Sequence, residues 1–326
     1  MLIESDIHKA LTTVAPVQPL MEDFAQLINP SRAPFSSLPK ADYFFQYPSA
    51  MQALNTIAFS LKAGESIVKI SGEKGVGKTF LIRQSVRVLG SDYYVMQCIN
   101  ANISAVDFLK FVIEEFGALY SVNTTENQLL KHLQCLLYEH YSKTDYPIVI
   151  WVDDAQQLPM ETLALIGSMC EFQTNKRKLV QFILSGTSEF DEKINHISAK
   201  NLRHHIGHSE TLRSLNQSEL MEYLKLRLQH AGMANDFCFT PAAARLLYRK
   251  SKGLPRNINA IANKALMLTY GKGGKIVPKA HVVRAARECG WVSADDSGFL
   301  FFFCYLPILL AMMGVAALFG LEWIAL

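Results

Sequence analysis

Short apolar runs alternate with amphipathic stretches through the middle of the chain. The apolar runs predict strands at residues 65–71, 93–98, 147–152, 179–184 and 208–213. Apolar positions at helical spacing predict helices at residues 49–63, 79–89, 104–118, 127–142 and 160–173. The run at 147–152 is almost wholly apolar, as expected of a strand that is buried on both faces of a sheet. Strands that alternate with helices in this way predict an α/β fold with a parallel sheet between layers of helices.

The pattern changes at about residue 216. Helices are predicted at residues 217–231, 241–251, 256–270 and 278–289, with short turns and no strand between them. We therefore expect an α/β domain at residues 33–215, followed by a helical domain at residues 216–290. Residues 1–32 form an N-terminal extension. Residues 33–48 are rich in proline and aromatic side chains, which predicts an irregular segment that docks on a surface the sequence does not identify.

One long segment near the end of the chain, residues 298–321, contains no charged residue. A helix needs about 20 apolar residues to cross a bilayer, so this segment predicts a single transmembrane helix. Lys275, Lys279, Arg284 and Arg287 precede it and no lysine or arginine follows it. The excess of positive charge before the segment predicts that the residues up to about 297 lie in the cytoplasm.

The charge gives no indication of a nucleic-acid partner, and the cysteines give none of a zinc site or a disulfide framework. The chain has 326 residues, of which 50% are hydrophobic and 19% charged, and a net charge of +3, which does not indicate a nucleic-acid partner. The six cysteines are scattered without closely spaced pairs. That distribution argues against a zinc site and against a disulfide framework.

Residues 72–79 fit the pattern G-x-x-x-x-G-K-[ST] between a predicted strand and a predicted helix. In such a loop the backbone N–H groups surround the phosphates of a nucleotide, at the positive end of the following helix. Lys78 is then expected to reach the terminal phosphates, and the Thr79 hydroxyl to coordinate Mg²⁺. The predicted nucleotide-binding residues are Gly72, Glu73, Lys74, Gly75, Val76, Gly77, Lys78, Thr79 and Phe80. The loop predicts a protein that binds ATP or GTP.

Polar residues follow two further predicted strands and open one helix. Asp153 and Asp154 end the third strand; Asp153 is expected in the Mg²⁺ shell, through water, and Asp154 is placed to polarise the attacking water. Ser185 and Thr187 end the fourth strand, where one of them either senses the γ-phosphate, holds the attacking water or belongs to an ordinary turn. Arg256 opens a helix of the helical domain, where it either reaches the phosphates or faces solvent.

The ordered motifs resemble the AAA+ superfamily of P-loop NTPases. More narrowly, they are similar to the ExeA/GspA group of general-secretion ATPases, with MshM-type pilus-biogenesis ATPases as close relatives. The resemblance covers about residues 33–290. It rests on residues 34–36 (PFS), 72–79, 153–158 (DDAQQL), 185–187 (SGT), 239–243 (FTPAA) and 253–259 (GLPRNIN).

The resemblance implies the fold, the location and the partners. The helical domain is then a lid over the nucleotide, which is ATP with Mg²⁺. The chain forms a ring-shaped homo-oligomer, with an ATPase domain in the cytoplasm and one transmembrane helix in the inner membrane. The protein then hydrolyses ATP to help assemble a secretion or type IV pilus-like machine, together with a partner that carries a periplasmic domain.

Three positions depart from the group's pattern. Asp154 stands where glutamate is usual, and its shorter side chain predicts slow hydrolysis. Thr187 occupies a position that is often glutamine. The arginine that acts on a neighbouring subunit's nucleotide aligns with His205, and Arg203, two residues away, is the candidate to replace it.

Two alternative functions come from other classes. The first is a DNA-handling AAA+ ATPase of the transposition-helper type, with residues 176–178 and 203–205 as its basic contacts. Charge runs of that size usually form a solvated face, so nucleic acid is not the expected partner. The second is an ATP-regulated scaffold with slow hydrolysis, which Asp154 suggests.

Overall fold

A computed structural model describes residues 33–36, 43–121, 123–175, 177–196, 199–233 and 237–290. The first part of the fold alternates helices and strands. Its helices are α1 (Pro48–Ala63), α2 (Lys78–Leu89), α3 (Ala105–Glu115), α4 (Glu126–Thr144), α5 (Met160–Met169), α6 (Ser188–Asn195) and α7 (Lys200–His204). Its strands are β1 (Ile67–Ser71), β2 (Tyr94–Cys98), β3 (Ile148–Val152), β4 (Val180–Gly186) and β5 (Ile206–Thr211).

These five strands form one parallel sheet in the order β2-β3-β4-β1-β5. The register pairs Ser71 with Gly186 and Val152 with Leu184, so the carboxyl ends of β1, β3 and β4 meet at one edge. Every residue of β3 and β4 is buried, which explains why the sequence of β3 is continuously apolar and that of β4 largely so. The predicted α/β fold with a parallel sheet is confirmed, and the loop at residues 72–79 leaves β1 at this edge.

The two faces of the sheet pack against different helices. Alternate residues of a strand point to opposite faces. Ile148 and Ile150 of β3 pack with α3, α4 and α5, whereas Val149 and Trp151 pack with α1 and α2. The second of these cores continues into the helices that follow β5, so the nucleotide loop and the C-terminal helices are joined through one apolar cluster.

Four helices follow the sheet: α8 (Gln217–His230), α9 (Pro241–Ser251), α10 (Pro255–Tyr270) and α11 (Lys279–Glu288). Asn216 begins α8 by accepting the N–H of Glu219, and proline opens both α9 and α10, where its fixed φ suits the first turn. Two short parallel strands, β6 (Cys238–Phe239) and β7 (Ile276–Val277), lie between these helices; the sequence did not predict them. The division into domains remains a prediction, and residues 1–32 lie outside the described ranges.

The structure contradicts the expected location as a single-pass protein of the inner membrane. Within the described ranges, no helix combines the length and the apolar character that crossing a bilayer requires. The reason is that these helices bury one face and expose charges on the other. The longest, α4, has 19 residues but carries Lys131, Glu139 and Lys143. The expected location is corrected accordingly; the apolar segment 298–321 lies outside the described residues.

Candidate nucleotide-binding site

The loop between β1 and α2 has a backbone that requires glycine. Gly75 has φ of 89° and Gly77 has φ of 110°, both in the left-handed region. A Cβ on Gly75 would lie 3.0 Å from the Cβ of Arg256. Because α2 begins at Lys78, the free N–H groups of its first turn adjoin the loop. This concave backbone is suited to bind an anion.

Lys78 is buried inside the loop although it is charged. Its Nζ donates to the carbonyl oxygens of Gly72 at 2.7 Å and Glu73 at 3.2 Å. Burial lowers the pKa of Lys78, and the nearby carboxylates of Asp153 and Asp154 act in the opposite direction. An ammonium group that is held only by carbonyl oxygens can exchange them for the stronger acceptors of a phosphate.

Asp153 connects three elements at the carboxyl edge of the sheet. Its Oδ2 accepts the hydroxyl of Thr79 at 2.5 Å, and its Oδ1 accepts the hydroxyl of Ser185 at 2.6 Å. The hydroxyl and the carboxylate are the hard oxygen ligands that Mg²⁺ prefers. Among the described residues, no group of three or more His, Cys, Asp or Glu side chains is placed to hold a metal. The Thr79 hydroxyl and the Asp153 carboxylate fit a Mg²⁺ that would complete its shell with phosphate oxygens and water.

Asp154 lies at the mouth of the same site. It is exposed and adopts φ of 52°, a conformation that aspartate tolerates better than most residues. Its Oδ1 accepts from Gln156 Nε2 at 3.1 Å, and Gln156 Oε1 accepts the N–H of Thr187 at 3.2 Å. Gln156 thus links the end of β3 to the start of α6. Site prediction missed Gln156, although it belongs to the motif at residues 153–158.

Arg256 lies in the wall of the cavity, whereas Thr187 is not among the residues that line it. Thr187 precedes α6, and its Oγ1 lies 3.5 Å from Glu189 Oε2. Arg256 is in the first turn of α10, where its N–H donates to the carbonyl of Gly75 at 3.2 Å. Its positive charge contributes to the lowered pKa of Lys78. The C-terminal helices therefore contact the nucleotide loop directly through Arg256.

Arg203 lies away from the nucleotide loop of its own chain. It is exposed on α7, just before β5. The first residue of β5, Ile206, pairs with Ile67 at the start of β1, whereas the loop follows the end of β1. Five residues of strand span about 16 Å. Arg203 and the loop are therefore at opposite ends of the sheet, too far apart for the Arg203 side chain to reach the loop of its own chain.

Aromatic residues from the stretch 33–48, which we call the aromatic segment, line the site. The sequence did not predict this position. A cavity of about 530 Å³ lies between the loop and this segment, with Tyr43, Phe44 and Phe45 in its wall. The ring of Phe44 is 5.8 Å from that of Phe80. The high aromatic content of residues 33–48 was the available signal, and it indicated docking without indicating where.

Arg227 of α8 holds the same segment in place. Its guanidinium donates to the carbonyl oxygens of Pro34 at 2.5 Å and Ser36 at 2.8 Å, and it lies 4.4 Å from the ring centre of Tyr43. Arg227 is buried, so these contacts replace its hydration. The cavity thus has three walls: the glycine loop, the aromatic segment and the C-terminal helices.

Comparisons with known proteins agree with this geometry. The AAA domain family matches residues 61–194. General secretion pathway protein A of Aeromonas hydrophila is 27% identical over 274 residues, which are 84% of this chain and 50% of that protein. The chain therefore spans half the length of this curated relative.

Solved structures share the fold at low sequence identity. Cdc6p from Pyrobaculum aerophilum has a TM-score of 0.60 at 14% identity, over 78% of this chain and 70% of that one. The Aeropyrum pernix ORC1 protein in complex with DNA has a TM-score of 0.57 at 17% identity, over 79% of this chain and 69% of that one. The resemblance drawn from the motifs is confirmed: this chain is similar to the AAA domain family over residues 61–194 and to General secretion pathway protein A over 84% of its length.

Proposed function

We propose that this chain binds ATP with Mg²⁺ in the cavity beside residues 72–79 and hydrolyses it as an oligomer, to assist assembly of a secretion or type IV pilus-like machine. The observation that carries the ATPase part is the convergence of Lys78, Thr79, Asp153 and Asp154 on one cavity. The role in secretion rests on the name of the Aeromonas hydrophila relative, of which this chain spans half.

In this proposal the loop and α2 bind the phosphates. The backbone N–H groups of residues 72–79 surround them, and Lys78 leaves its carbonyl partners for the terminal phosphates. Thr79 and Asp153 would hold Mg²⁺, which when bound neutralises charge on the phosphates. The rings of Phe44 and Phe45 supply apolar surface for the base.

Asp154 and Thr187 would act on the attacking water and the γ-phosphate. Asp154 is one methylene shorter than glutamate, and Gln156 already binds its Oδ1. Both features favour slow turnover, as in a scaffold that ATP regulates. Steady-state hydrolysis by wild type and by Asp154→Glu measures this directly. We expect the variant to hydrolyse ATP faster at unchanged ATP affinity; a slower variant would show that the shorter carboxylate does not limit the rate.

Arg203 and Arg256 would couple the nucleotide to the assembly. Arg256, next to Gly75, would report the nucleotide state to the C-terminal helices, which then act as a lid. Arg203 would act on the nucleotide of the neighbouring copy, because it lies at the far end of the sheet from its own loop.

A mixing experiment tests the proposed action between subunits. Lys78→Ala chains lack a working nucleotide site but keep Arg203, whereas Arg203→Ala chains keep the site and lack the arginine. We expect each variant alone to hydrolyse ATP poorly and a mixture of the two to regain hydrolysis. Full activity of Arg203→Ala alone, or no recovery on mixing at any protein concentration, would contradict the proposed role of Arg203.

A further inference from the structure

The net charge of the chain conceals a strong local excess of positive charge. Residues 217–290 contain 13 lysines and arginines and 4 acidic residues, a net charge of +9, whereas the whole chain has +3. In the stretch 237–290 the count is 11 basic residues against a single acid, Glu288. Solvated surfaces of ordinary domains usually intersperse both signs. This excess of positive charge therefore indicates a negatively charged partner.

Five of these cations lie on the exposed faces of two helices that pack against each other, α9 and α11. On α9, Arg245 and Arg249 are exposed and one turn apart, so they project from the same face. On α11, Lys279, Arg284 and Arg287 are exposed. We call these five residues the basic surface. Glu288 is bound by Arg284 at 3.1 Å.

Helix stability does not account for this arrangement. Acidic residues are favourable in the first turn of a helix and basic residues in the last. The preference for basic residues in the last turn explains Arg249 and Arg287. It does not explain Lys279, which is the first residue of α11, or the lack of any acidic residue in the first turns of α9, α10 and α11. Lys279 stands where a cation is unfavourable for the helix.

The chemistry around the basic surface favours nucleic acid over other polyanions. A helix that inserts into a membrane interface needs an apolar face that is open to the lipid. The apolar faces of α9 and α11 are instead buried in the protein, through Leu246 and Leu247 on α9 and Val282 on α11. Single strands are usually bound by stacking on exposed aromatic rings. Among the described residues after 237, no aromatic side chain is among the exposed large hydrophobic ones.

We propose that the basic surface of α9 and α11 binds the phosphate backbone of double-stranded nucleic acid, without reading its sequence. This inference is independent of the role in secretion and does not use the residues of the nucleotide site. Each phosphate contact releases counterions, so the affinity should fall as salt rises. A plot of the logarithm of the binding constant against the logarithm of the salt concentration should have a slope of about −0.9 per contact.

The test is fluorescence anisotropy of the full chain with a labelled duplex of about 20 base pairs, measured between about 50 and 200 mM salt. We expect Arg245→Glu/Arg249→Glu to weaken binding by about tenfold or more and to reduce the salt slope by about 2. Lys131→Glu reverses the charge of an exposed residue on α4 and is the matched control, which should bind the duplex as wild type does.

A second variant separates binding from folding. Lys279→Glu replaces a cation with an anion at the start of α11, so it should raise the free energy of unfolding slightly while weakening duplex binding. Absence of duplex binding by wild type at low salt, or equal binding and equal slopes for all variants, would overturn the proposal. Flotation with vesicles of phosphatidylserine and phosphatidylcholine is run in parallel. Vesicle binding that the variants lose, with unchanged duplex binding, would also overturn it.

Discussion

Gly253 is the position where a single methyl group should disturb both stability and the nucleotide site. It has φ of 71°, and a Cβ there would lie 2.0 Å from the carbonyl oxygen of Leu215. The N–H of Leu215 donates to the carbonyl of Gly253 at 3.0 Å, so the two backbones are held together. Because Arg256 follows three residues later, a shift of Gly253 also moves the helix start that contacts the glycine loop.

The cost of Gly253→Ala has two parts. Left-handed backbone costs a non-glycine residue about 1 kcal/mol. Relieving the contact with Leu215 requires a movement of roughly 1 Å or more, and overpacking of this kind costs about 2 kcal/mol, with about 1 kcal/mol more for the broken hydrogen bond. Gly273 is the matched control, because it has φ of 68° and nothing within 4 Å of its would-be Cβ. Gly273→Ala should therefore lower the free energy of unfolding only by the cost of the left-handed backbone.

Urea unfolding and ATP titration of the two variants measure these effects. We expect Gly253→Ala to lose about 3 kcal/mol more than Gly273→Ala, with weaker ATP binding only in the former. Equal losses of stability in the two variants would refute the reasoning, because they would show that the close approach to Leu215 carries no cost.

Two further predictions concern groups outside the cavity. The guanidinium of Arg213 binds both carboxylate oxygens of buried Glu219 and lowers its pKa. Arg213→Ala should therefore cost about 2 kcal/mol at pH 7. The difference from wild type should shrink as pH falls through the folded-state pKa of Glu219, because that stabilisation exists only while the carboxylate is charged; a constant difference would contradict it. Burial raises the pKa of Cys98 to about 11 and of Cys170 to about 12. Maleimide at pH 8 should label exposed Cys135 and Cys238 before Cys98 and Cys170, as peptide mapping will show.

The sequence predicted the sheet and the loop because their signals are local. The continuous apolar run at 147–152 indicated a buried strand, and the spacing of Gly72, Gly77 and Lys78 indicated the phosphate loop. The ends of parallel strands meet at one edge, so the meeting of Asp153 with Thr79 also followed from the pattern.

The remaining features depend on contacts between distant parts of the chain. Gln156 acts through the backbone of Thr187, 31 residues away, and the aromatic segment reaches the cavity because Arg227 binds carbonyls more than 190 residues earlier. Periodicity carries no information about such contacts. The two-residue strands β6 and β7 are too short to produce an alternating pattern. The basic surface was hidden because a net charge sums over the whole chain.

The central claim, that residues 72–79 bind the phosphates of ATP, is tested most directly by the ATP affinity of Lys78→Ala. Isothermal titration calorimetry with ATP and Mg²⁺ compares wild type, Lys78→Ala and the surface control Lys131→Ala. We predict an affinity at least about tenfold weaker for Lys78→Ala, equivalent to about 1.4 kcal/mol, and no change for Lys131→Ala. Equal affinity of wild type and Lys78→Ala, with both folded, would contradict the assignment of the site.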